Sequence, residues 1–258
     1  MLQVIAENKA GQRLDLKASP YHQLISVTGI TPPGADVSLS NLATKDGSVF
    51  NSSRLNNRNV VLTILPIVKV EQARLDLYRV FKTKQWVRLY LTSASRSVYV
   101  DGWVETMDGD LYENSQRIQI SILCPDPYLK ALEPVTVNFE NGAATVDNDS
   151  DEAVGFVTEL SFAGAASGIT VANATTGKSF AVDYEFQQND KMILNTQRGE
   201  KGVWLERSGA KTNIINHMEI NSSWIMLQAG QNALTVTATA GGSNLSGTAT
   251  VQPIYEGV

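Results

Sequence analysis

The first half of the chain switches from a strand-like to a helix-like pattern of apolar residues. Residues 58–68, RNVVLTILPIV, are apolar and β-branched, and the missing amide hydrogen of Pro66 favours a sheet edge or a strand end there. The next segment, VEQARLDLYRVFKTK, carries apolar residues at three- and four-residue spacings among good helix formers. We therefore predict a strand followed by a helix. The apolar residues of that helix are Ala73, Leu75, Leu77, Tyr78, Val80 and Phe81.

Three alternating segments follow the helix. Residues 86–91 and 97–105 alternate apolar with polar side chains on either side of the turn SASRS, which predicts an antiparallel hairpin. In RIQISILC the isoleucines share one face, whereas Arg117, Gln119 and Ser121 share the other, as in a strand that is wet on one side. The pattern therefore predicts a hairpin and a further strand after the helix.

The string CPDPYLKALEP separates two halves of different character. Its prolines lack amide donors and fix φ, so we expect regular structure to break between residues 124 and 134 and place a domain boundary there. The predicted domains are residues 1–132 and 133–258. Beyond the boundary, turn signals such as Asn141-Gly142, Asn189-Asp190 and Ser208-Gly209 separate short runs rich in Val, Ile, Thr and Phe. That spacing predicts an antiparallel β-sandwich.

Composition and charge fit a folded protein whose main partner is not nucleic acid. Of the 258 residues, 43% are hydrophobic and 18% are charged, and the formal net charge is −5, whereas a phosphate-binding surface is basic. Residues 1–130 hold 15 Lys and Arg against 12 Asp and Glu, and residues 131–258 hold 6 against 14, so we expect different surroundings for the two halves. With no signal-peptide pattern and no apolar stretch of about 18 residues, we expect neither secretion by the usual route nor a membrane span.

Few residues of the sequence could carry catalysis or bind a metal ion. His22 and His217 are the only histidines and neither lies in a motif, while Cys124 fits a buried core position better than a nucleophile. The acidic run 147–152, DNDSDE, lacks the glycine and the glutamate that close a calcium loop, so we interpret it as solvated. We expect no cofactor, no metal site and no enzymatic activity, although the paired carboxylates of a glycosidase stay open, because their separation depends on the fold.

Aromatic residues are the first candidates for binding. Trp86 and Trp103 lie in the predicted hairpin and fit either the core or a subunit interface. In the second half, Tyr184, Trp204 and Trp224 could stack on a sugar ring, although a tryptophan in a strand is more often partly buried in the core.

The polar side of the predicted helix is a further candidate. It could bind a neighbouring subunit through ion pairs, or it could simply be solvated, because exposed pairs contribute only about 0–1 kcal/mol. Its residues are Arg74, Asp76, Arg79 and Lys82.

The order of these segments resembles that of a known protein family. A helix of the EQARLDLYRVF kind, a hairpin, an amphipathic strand and then CPDPYLKAL resemble the end of the N-terminal domain in the distal tail proteins of siphophages. The segment from FQQNDKMILNTQRGEKGVWLERSG to WIMLQAGQNALTV resembles the C-terminal region of that family, with its strand pair, its tryptophan and its L..G.N turn. The resemblance rests on collinear order and covers most of the chain, except the acidic run 147–152 and the loop around Pro32 and Pro33.

The resemblance implies a mainly β fold and a structural role. It implies an N-terminal split-barrel-like domain, whose helix and hairpin interlock into a hexameric ring, and a C-terminal galectin-like antiparallel β-sandwich outside the ring. Such a ring would be a hub at the virion tail tip or baseplate, joining the tail tube protein to a tail-associated hub protein and to receptor-binding components. DNA would only pass through its lumen, no membrane would be involved, and assembly would take place in the host bacterial cytoplasm.

Two alternatives to the hub are open. The C-terminal sandwich could be a carbohydrate- or receptor-binding module that aids host adsorption, although a galectin-like form does not imply affinity for sugar. An enzyme, such as a cell-wall hydrolase, is the least favoured alternative, because the sequence contains no recognisable catalytic motif.

Overall fold

The computed structural model describes residues 2–44, 46–109 and 116–258, and it divides the chain into two compact units. Residues 1–132 and 255–258 form the first unit, and residues 133–254 form the second. Strands dominate both units within the described residues, so the predicted mainly β fold class is confirmed. No helix in these ranges combines the length and the apolar character needed to span a membrane.

The first unit is built on one large antiparallel sheet. The strands of this unit, apart from a final two-residue strand described below, are β1 (Gln3–Asn8), β2 (Arg13–Asp15), β3 (His22–Thr28), β4 (Ala35–Asn41), β5 (Ser48–Leu55), β6 (Arg58–Pro66), β7 (Trp86–Thr92), β8 (Ser97–Gly109), β9 (Ile118–Cys124) and β10 (Leu129–Ala131). Helix α1 (Val70–Val80) lies between β6 and β7. The main path of the sheet runs in the order β2-β1-β7-β8-β9-β6-β3, and β4 and β5 form a separate two-stranded hairpin. The predicted strand, helix and hairpin are all present.

The core of the first unit follows from the two periodicities of its elements. Along β6 every second residue is buried, including Val60, Leu62 and Ile64, because alternate side chains of a strand point to the same face. Pro66 ends β6, which pairs with β9 on one side and β3 on the other, so of the two predicted positions it occupies a strand end and not a sheet edge. The buried stripe of α1 is Ala73, Leu77 and Val80, with Phe81 immediately after the helix.

Leu75 and Tyr78 belong to the apolar pattern of α1, and both are exposed. Two expectations for the first unit are wrong in detail. Ser121 is buried and not wet, and its hydroxyl lies 3.0 Å from both Asn59 Oδ1 and Glu105 Oε2. The break predicted between residues 124 and 134 contains β10, which pairs with the edge of β8 beyond the last proline of the CPDP string.

The second unit is a β-sandwich of two antiparallel sheets. Its strands are β11 (Val135–Asn138), β12 (Ala143–Asn148), β13 (Phe156–Phe162), β14 (Ala166–Asn173), β15 (Lys178–Phe186), β16 (Lys191–Asn195), β17 (Gly202–Arg207), β18 (Ala210–Asn213), β19 (Gly230–Ala240) and β20 (Leu245–Val251). One sheet has the order β11-β20-β13-β16-β17-β18 and the other β12-β19-β14-β15. Buried side chains from both sheets, such as Leu160 and Phe180, form one continuous core. The chain then returns to the first unit at Tyr255, in β21 (Ile254–Tyr255), which pairs with β10.

Tight turns join neighbouring strands of the sandwich where the sequence predicted them. Asn141 and Gly142 have φ values of 51° and 76°, and Ser208 and Gly209 have values of 50° and 80°. A two-residue hairpin turn of the primed type requires positive φ at both residues, which Asn and Gly adopt readily. The turn at Ser208-Gly209 fixes the register of β17 against β18, whereas the turn at Asn141-Gly142 joins β11 and β12, which belong to different sheets.

The acidic run 147–152 is only partly solvated, in contrast to the prediction. Asn148 and Ser150 are buried, and the Asn148 amide donates to the carbonyl oxygens of Leu227 at 3.2 Å and Gln228 at 3.1 Å. The Ser150 hydroxyl accepts a hydrogen bond of 3.0 Å from the amide of Ile254. Since the run continues the alternation of β12, its acidic residues point outward while the small polar residues connect it to neighbouring loops.

Candidate interaction surfaces and a cleft

The hairpin β4–β5 has an apolar face that nothing in the described chain buries. Leu39 lies opposite Phe50, and Val37 lies opposite Ser53, whereas Ser38 lies opposite Ser52 on the other face. Cross-strand partners share a face, so the hairpin is amphipathic, and Phe50 is 60% exposed. The sequence prediction missed this element, although the alternation of ADVSLSN could have indicated it.

Exposed apolar residues are concentrated in the first unit. Of the 17 large apolar residues that are exposed within the described ranges, 14 belong to the first unit and three, Val135, Ile215 and Ile220, to the second. Beyond the hairpin, Tyr21 and the pair Ile67 and Val68 form one such patch, because the Tyr21 carbonyl accepts hydrogen bonds from both amides. Surfaces of this kind on a folded unit mark interaction sites.

The polar residues predicted on the helix are mostly engaged with one another. Arg79 lies 3.2 Å from Asp76, and Arg74 lies 3.6 Å from Glu71 with its guanidinium 5.8 Å from the ring of Tyr78. The Arg74 side chain is largely buried, so it does not belong to a solvated polar side. The fourth predicted residue is Lys82, which is exposed just beyond the helix.

The two tryptophans of the first unit lie opposite each other on the outer face of the sheet. Trp86 lies directly opposite Trp103, and Leu123 on the next strand lies opposite Trp103 in turn. Trp103 is 46% exposed and Leu123 is also exposed, so Trp103 does not lie in the core, and its role in a subunit interface stays a prediction. Trp86 is half-buried.

An ion pair borders the two tryptophans and orders this part of the outer face. Arg88 donates to both carboxylate oxygens of Asp101 at 2.7 and 2.9 Å, and its guanidinium lies 4.1 Å from the ring of Tyr99 and 5.5 Å from that of Trp86. The Asp101 carboxylate raises the pKa of Arg88, so the guanidinium is charged at any pH at which the fold persists.

The second unit carries an open cleft of about 760 Å³ beside the edge strand β15. Its wall includes Tyr184, the one predicted ligand residue that lines it, and Phe186. The ring of Tyr184 makes edge contacts with His217, at 4.9 Å between centroids, and with Phe186, at 5.1 Å. The other polar residues that line the cleft are Ser167, Asp183, Glu185, Gln187, Arg207 and His217.

A buried ion pair holds Arg207 in place at the cleft. Arg207 donates to both oxygens of Asp190 at 2.8 and 2.6 Å, and the Asp190 side chain is 2% exposed. The hydrogen bonds from Arg207 lower the pKa of Asp190. The guanidinium lies 6.0 Å from the ring of Tyr184, so the same residue connects the buried carboxylate to the aromatic wall.

The other two predicted ligand residues do not line the cleft. Trp204 lies on β17, with its ring against Gly202 and the Lys211 ammonium 4.6 Å from the ring centroid. Trp224 packs against the buried ring of Phe180, at 4.9 Å between centroids. The structure therefore does not bring Tyr184, Trp204 and Trp224 together at the cleft.

The residues considered for catalysis lie apart from the cleft or carry other contacts. Cys124 is buried, and burial raises the pKa of its thiol to about 12. His22 is buried and its Nδ1 lies 3.1 Å from the Ser19 hydroxyl, while burial lowers its pKa. In the described parts of the chain, no cluster of three or more His, Cys, Asp or Glu side chains could hold a metal ion.

Comparisons with known proteins agree with the geometry. Residues 149–252 match the family SPP1_Dit, described as siphovirus-type tail component, C-terminal domain. No curated protein matches the sequence. The crystal structure of SPP1 Dit (gp 19.1), described as a paradigm of the hub adsorption apparatus in phages that infect Gram-positive bacteria, is similar with a TM-score of 0.75 and 16% identity, covering 98% of this chain and 99% of that one.

Two structures of the phage P2 baseplate in its activated conformation, with Ca and with Sr, are also similar. Their TM-scores are 0.55 and 0.52 at 10% and 9% identity, and the alignments cover 100% of both chains in each case. At these identities the solved structures show a shared fold.

Proposed function

We propose that this protein is a structural hub of a phage tail tip or baseplate, because residues 149–252 match the siphovirus-type tail component family and the whole chain has the fold of the SPP1 Dit protein. In this proposal six copies form a ring through the first unit. The ring joins the tail tube protein to a tail-associated hub protein and to receptor-binding components, and DNA only passes through its lumen. It performs no catalysis, and it assembles in the host cytoplasm before it becomes part of the virion.

The uncovered face of the β4–β5 hairpin is the observation that carries this proposal. An isolated two-stranded hairpin is at best marginally stable in water, and this one leaves Val37, Leu39 and Phe50 exposed. A second copy of the chain that covers this face would bury apolar area and stabilise the hairpin at once. Head-to-tail contacts of this kind close into a ring when the rotation between copies allows it.

The distribution of exposed apolar residues supports assignment of the ring to the first unit. That unit holds 14 of the 17 exposed large apolar residues in the described ranges, and its sequence is nearly balanced in charge. The second unit is acidic and exposes few large apolar residues, as expected of a unit that faces solvent outside the ring. The outer pair Trp86 and Trp103 adds a second apolar area to the first unit for contact with a neighbour or a tube protein.

The mass and shape of the purified chain test the proposal. Light scattering after size exclusion should give a mass near six times 28.0 kDa, and negative stain should show a central hole. Leu39→Asp and Phe50→Asp, which place a charge on the apolar face, should dissociate the ring. Ser38→Asp and Ser52→Asp, on the opposite face of the same hairpin, are the matched controls and should leave it intact.

Two results would contradict the proposed ring. The first is a strict monomer at micromolar concentration that stays monomeric when the tail tube protein is added. The second is a ring that tolerates aspartate equally well on both faces of the hairpin, since the apolar face would then have no part in the contact.

A further inference from the structure

The cleft beside β15 has the features of a binding site that is ordered before its ligand arrives. Its volume of about 760 Å³ lies within the range of roughly 300–1,000 Å³ typical of small-molecule sites. The ring of Tyr184 is held by edge contacts with Phe186 and His217, and Arg207 beside it is fixed by two hydrogen bonds to Asp190. A ligand that binds here would therefore not need to immobilise the ring of Tyr184 or the guanidinium of Arg207.

The polar groups of the cleft favour a ligand rich in hydroxyl donors. Asp183, Glu185 and Gln187 are exposed and present oxygen acceptors, and carboxylates accept the stronger hydrogen bonds. His217 Nδ1 lies 3.1 Å from the carbonyl oxygen of Asp183 and donates to it, which leaves Nε2 for contact with a ligand. An aromatic wall beside several acceptors suits a molecule that has one apolar face and a rim of hydroxyls.

Two other classes of ligand fit the cleft less well. An anion would meet the carboxylates of Asp183 and Glu185, while the nearest cation, Arg207, is already neutralised by Asp190. An added peptide strand would need the open edge of β15, yet the carbonyls of Asp183 and Glu185 already accept from His217 and Arg207, the latter at 3.5 Å.

The remaining part of the β15 edge is also covered. The amide of Glu219 donates to the carbonyl of Ala181 at 3.0 Å, and that of Ser223 donates to the carbonyl of Ser179 at 2.8 Å. The segment that contains these residues thus occupies the edge upstream of the cleft, and strand addition has no continuous row of free groups to use.

From this geometry we propose that the cleft binds a neutral saccharide, with the ring of Tyr184 as the stacking platform and the side chains of Asp183 and Glu185 as acceptors for its hydroxyl groups. This inference does not rest on the ring, because the cleft lies wholly within the second unit. A hexamer that binds no sugar and a monomer that binds one are separate outcomes, so the two proposals fail independently.

Saturation-transfer NMR on the full chain tests the site, because the method works with large assemblies and weak ligands. The probes are glucose, galactose, N-acetylglucosamine, rhamnose and their β-linked disaccharides, each at up to about 10 mM, which detects dissociation constants in the millimolar range. At least one probe should receive magnetisation, strongest on the C–H protons of one ring face. Tyr184→Leu should weaken its binding at least tenfold, whereas Tyr184→Phe should retain it within about threefold.

Two further variants separate binding from folding. Glu185→Gln changes an exposed side chain, leaves the core untouched and should weaken binding severalfold through the loss of a charged acceptor. Trp204→Leu removes an aromatic ring outside the cleft and should leave binding unchanged, with thermal unfolding measured for each variant as a check of the fold.

Three outcomes would overturn the saccharide site. One is the absence of transfer to every probe, and another is binding that Trp204→Leu removes but Tyr184→Leu and Glu185→Gln do not. The third is a cleft that takes inorganic phosphate or glucuronate in preference to the neutral sugars, since the carboxylates at the cleft should repel both.

Discussion

Replacement of Arg58 with methionine should destabilise the first unit and leave the second unchanged. The Arg58 side chain is 1% exposed and donates four hydrogen bonds to backbone carbonyl oxygens. The acceptors belong to Gly29 at 2.5 Å, Thr31 at 2.9 Å, Pro127 at 2.7 Å and Glu256 at 2.6 Å. One guanidinium thus joins the end of β3, the segment after β9 and the residues that follow β21.

The size of the effect follows from the hydrogen bonds that are lost. Burial lowers the pKa of Arg58, but a guanidinium stays protonated in proteins, so the group is a buried charge satisfied by dipoles. Each hydrogen bond from a charged donor contributes about 1.5–3 kcal/mol, against several kcal/mol for desolvation of the ion. Methionine leaves the carbonyls without a donor, so we expect a loss of about 3–5 kcal/mol, as for other broken buried networks.

A lysine variant and a surface variant bracket this estimate. Arg58→Lys keeps the charge but lacks the planar fork, so it should lose at least one of the four bonds, about 1.5–3 kcal/mol. Arg54→Met is the matched control, because Arg54 is exposed and its ion pair with Asp36, at 3.2 Å, contributes about 0–1 kcal/mol.

The assay is urea unfolding of the full chain, followed by hydrogen exchange with peptides assigned to each unit. Peptides of the first unit should lose protection at lower urea in Arg58→Met, and those of the second unit should not change. A loss below about 1 kcal/mol in the first unit would refute the reasoning, because the carbonyls would then be satisfied without the guanidinium. An equal loss in both units would also refute it.

Three further predictions concern the Cys124 thiol, the Asp190 carboxylate and the C-terminal residues 255–258. The Cys124 thiol should react with iodoacetamide only after denaturation, since burial raises its pKa to about 12, and fast alkylation of the native chain near neutral pH would contradict this. Acid should weaken the second unit through Asp190: the pKa of Asp190 is lowered by Arg207, so its contribution is present above the unfolded value of about 3.9 and is lost as the pH falls through the lower folded value. Asp190→Asn should be less stable near neutral pH and less sensitive to acid in urea unfolding, and an unchanged pH profile would count against the ion pair. Removal of residues 255–258 should speed hydrogen exchange in the first unit alone, because Tyr255 is part of its core.

The spacing of apolar residues along the sequence was enough to predict several strands and the helix of the first unit. The hairpin β7–β8 and the strand β9 alternate apolar with polar residues over most of their length, so their inner faces could be predicted before any partner was known. The helix shows the limit of this reasoning. Its apolar residues form more than one stripe along the helix. Whether Leu75 or Leu77 is buried depends on the position of the sheet, and the helical spacing of apolar residues does not give that position.

Long-range polar contacts left no signal in the sequence. Arg58 begins the run RNVVLTILPIV and has the appearance of a polar strand end, yet its acceptors include the carbonyl of Glu256, 198 residues away. The cleft is similar: Tyr184 was a candidate on its aromatic ring alone, whereas Arg207 and His217 join it only through the packing of separate strands and loops. Every residue has a backbone carbonyl, so the sequence does not single out the carbonyls that accept from Arg58. It also does not state which distant side chains the fold brings together at the cleft.

The two units divide apolar exposure and charge in opposite ways, and this division connects the fold to both proposals. The first unit exposes large apolar side chains on a hairpin with no core of its own, which is costly unless another chain covers it. The second unit buries its apolar residues between two sheets and keeps an acidic surface with a polar cleft. If the ring and the saccharide site both hold, several weak saccharide sites on one hub would bind a surface together far more tightly than one site could.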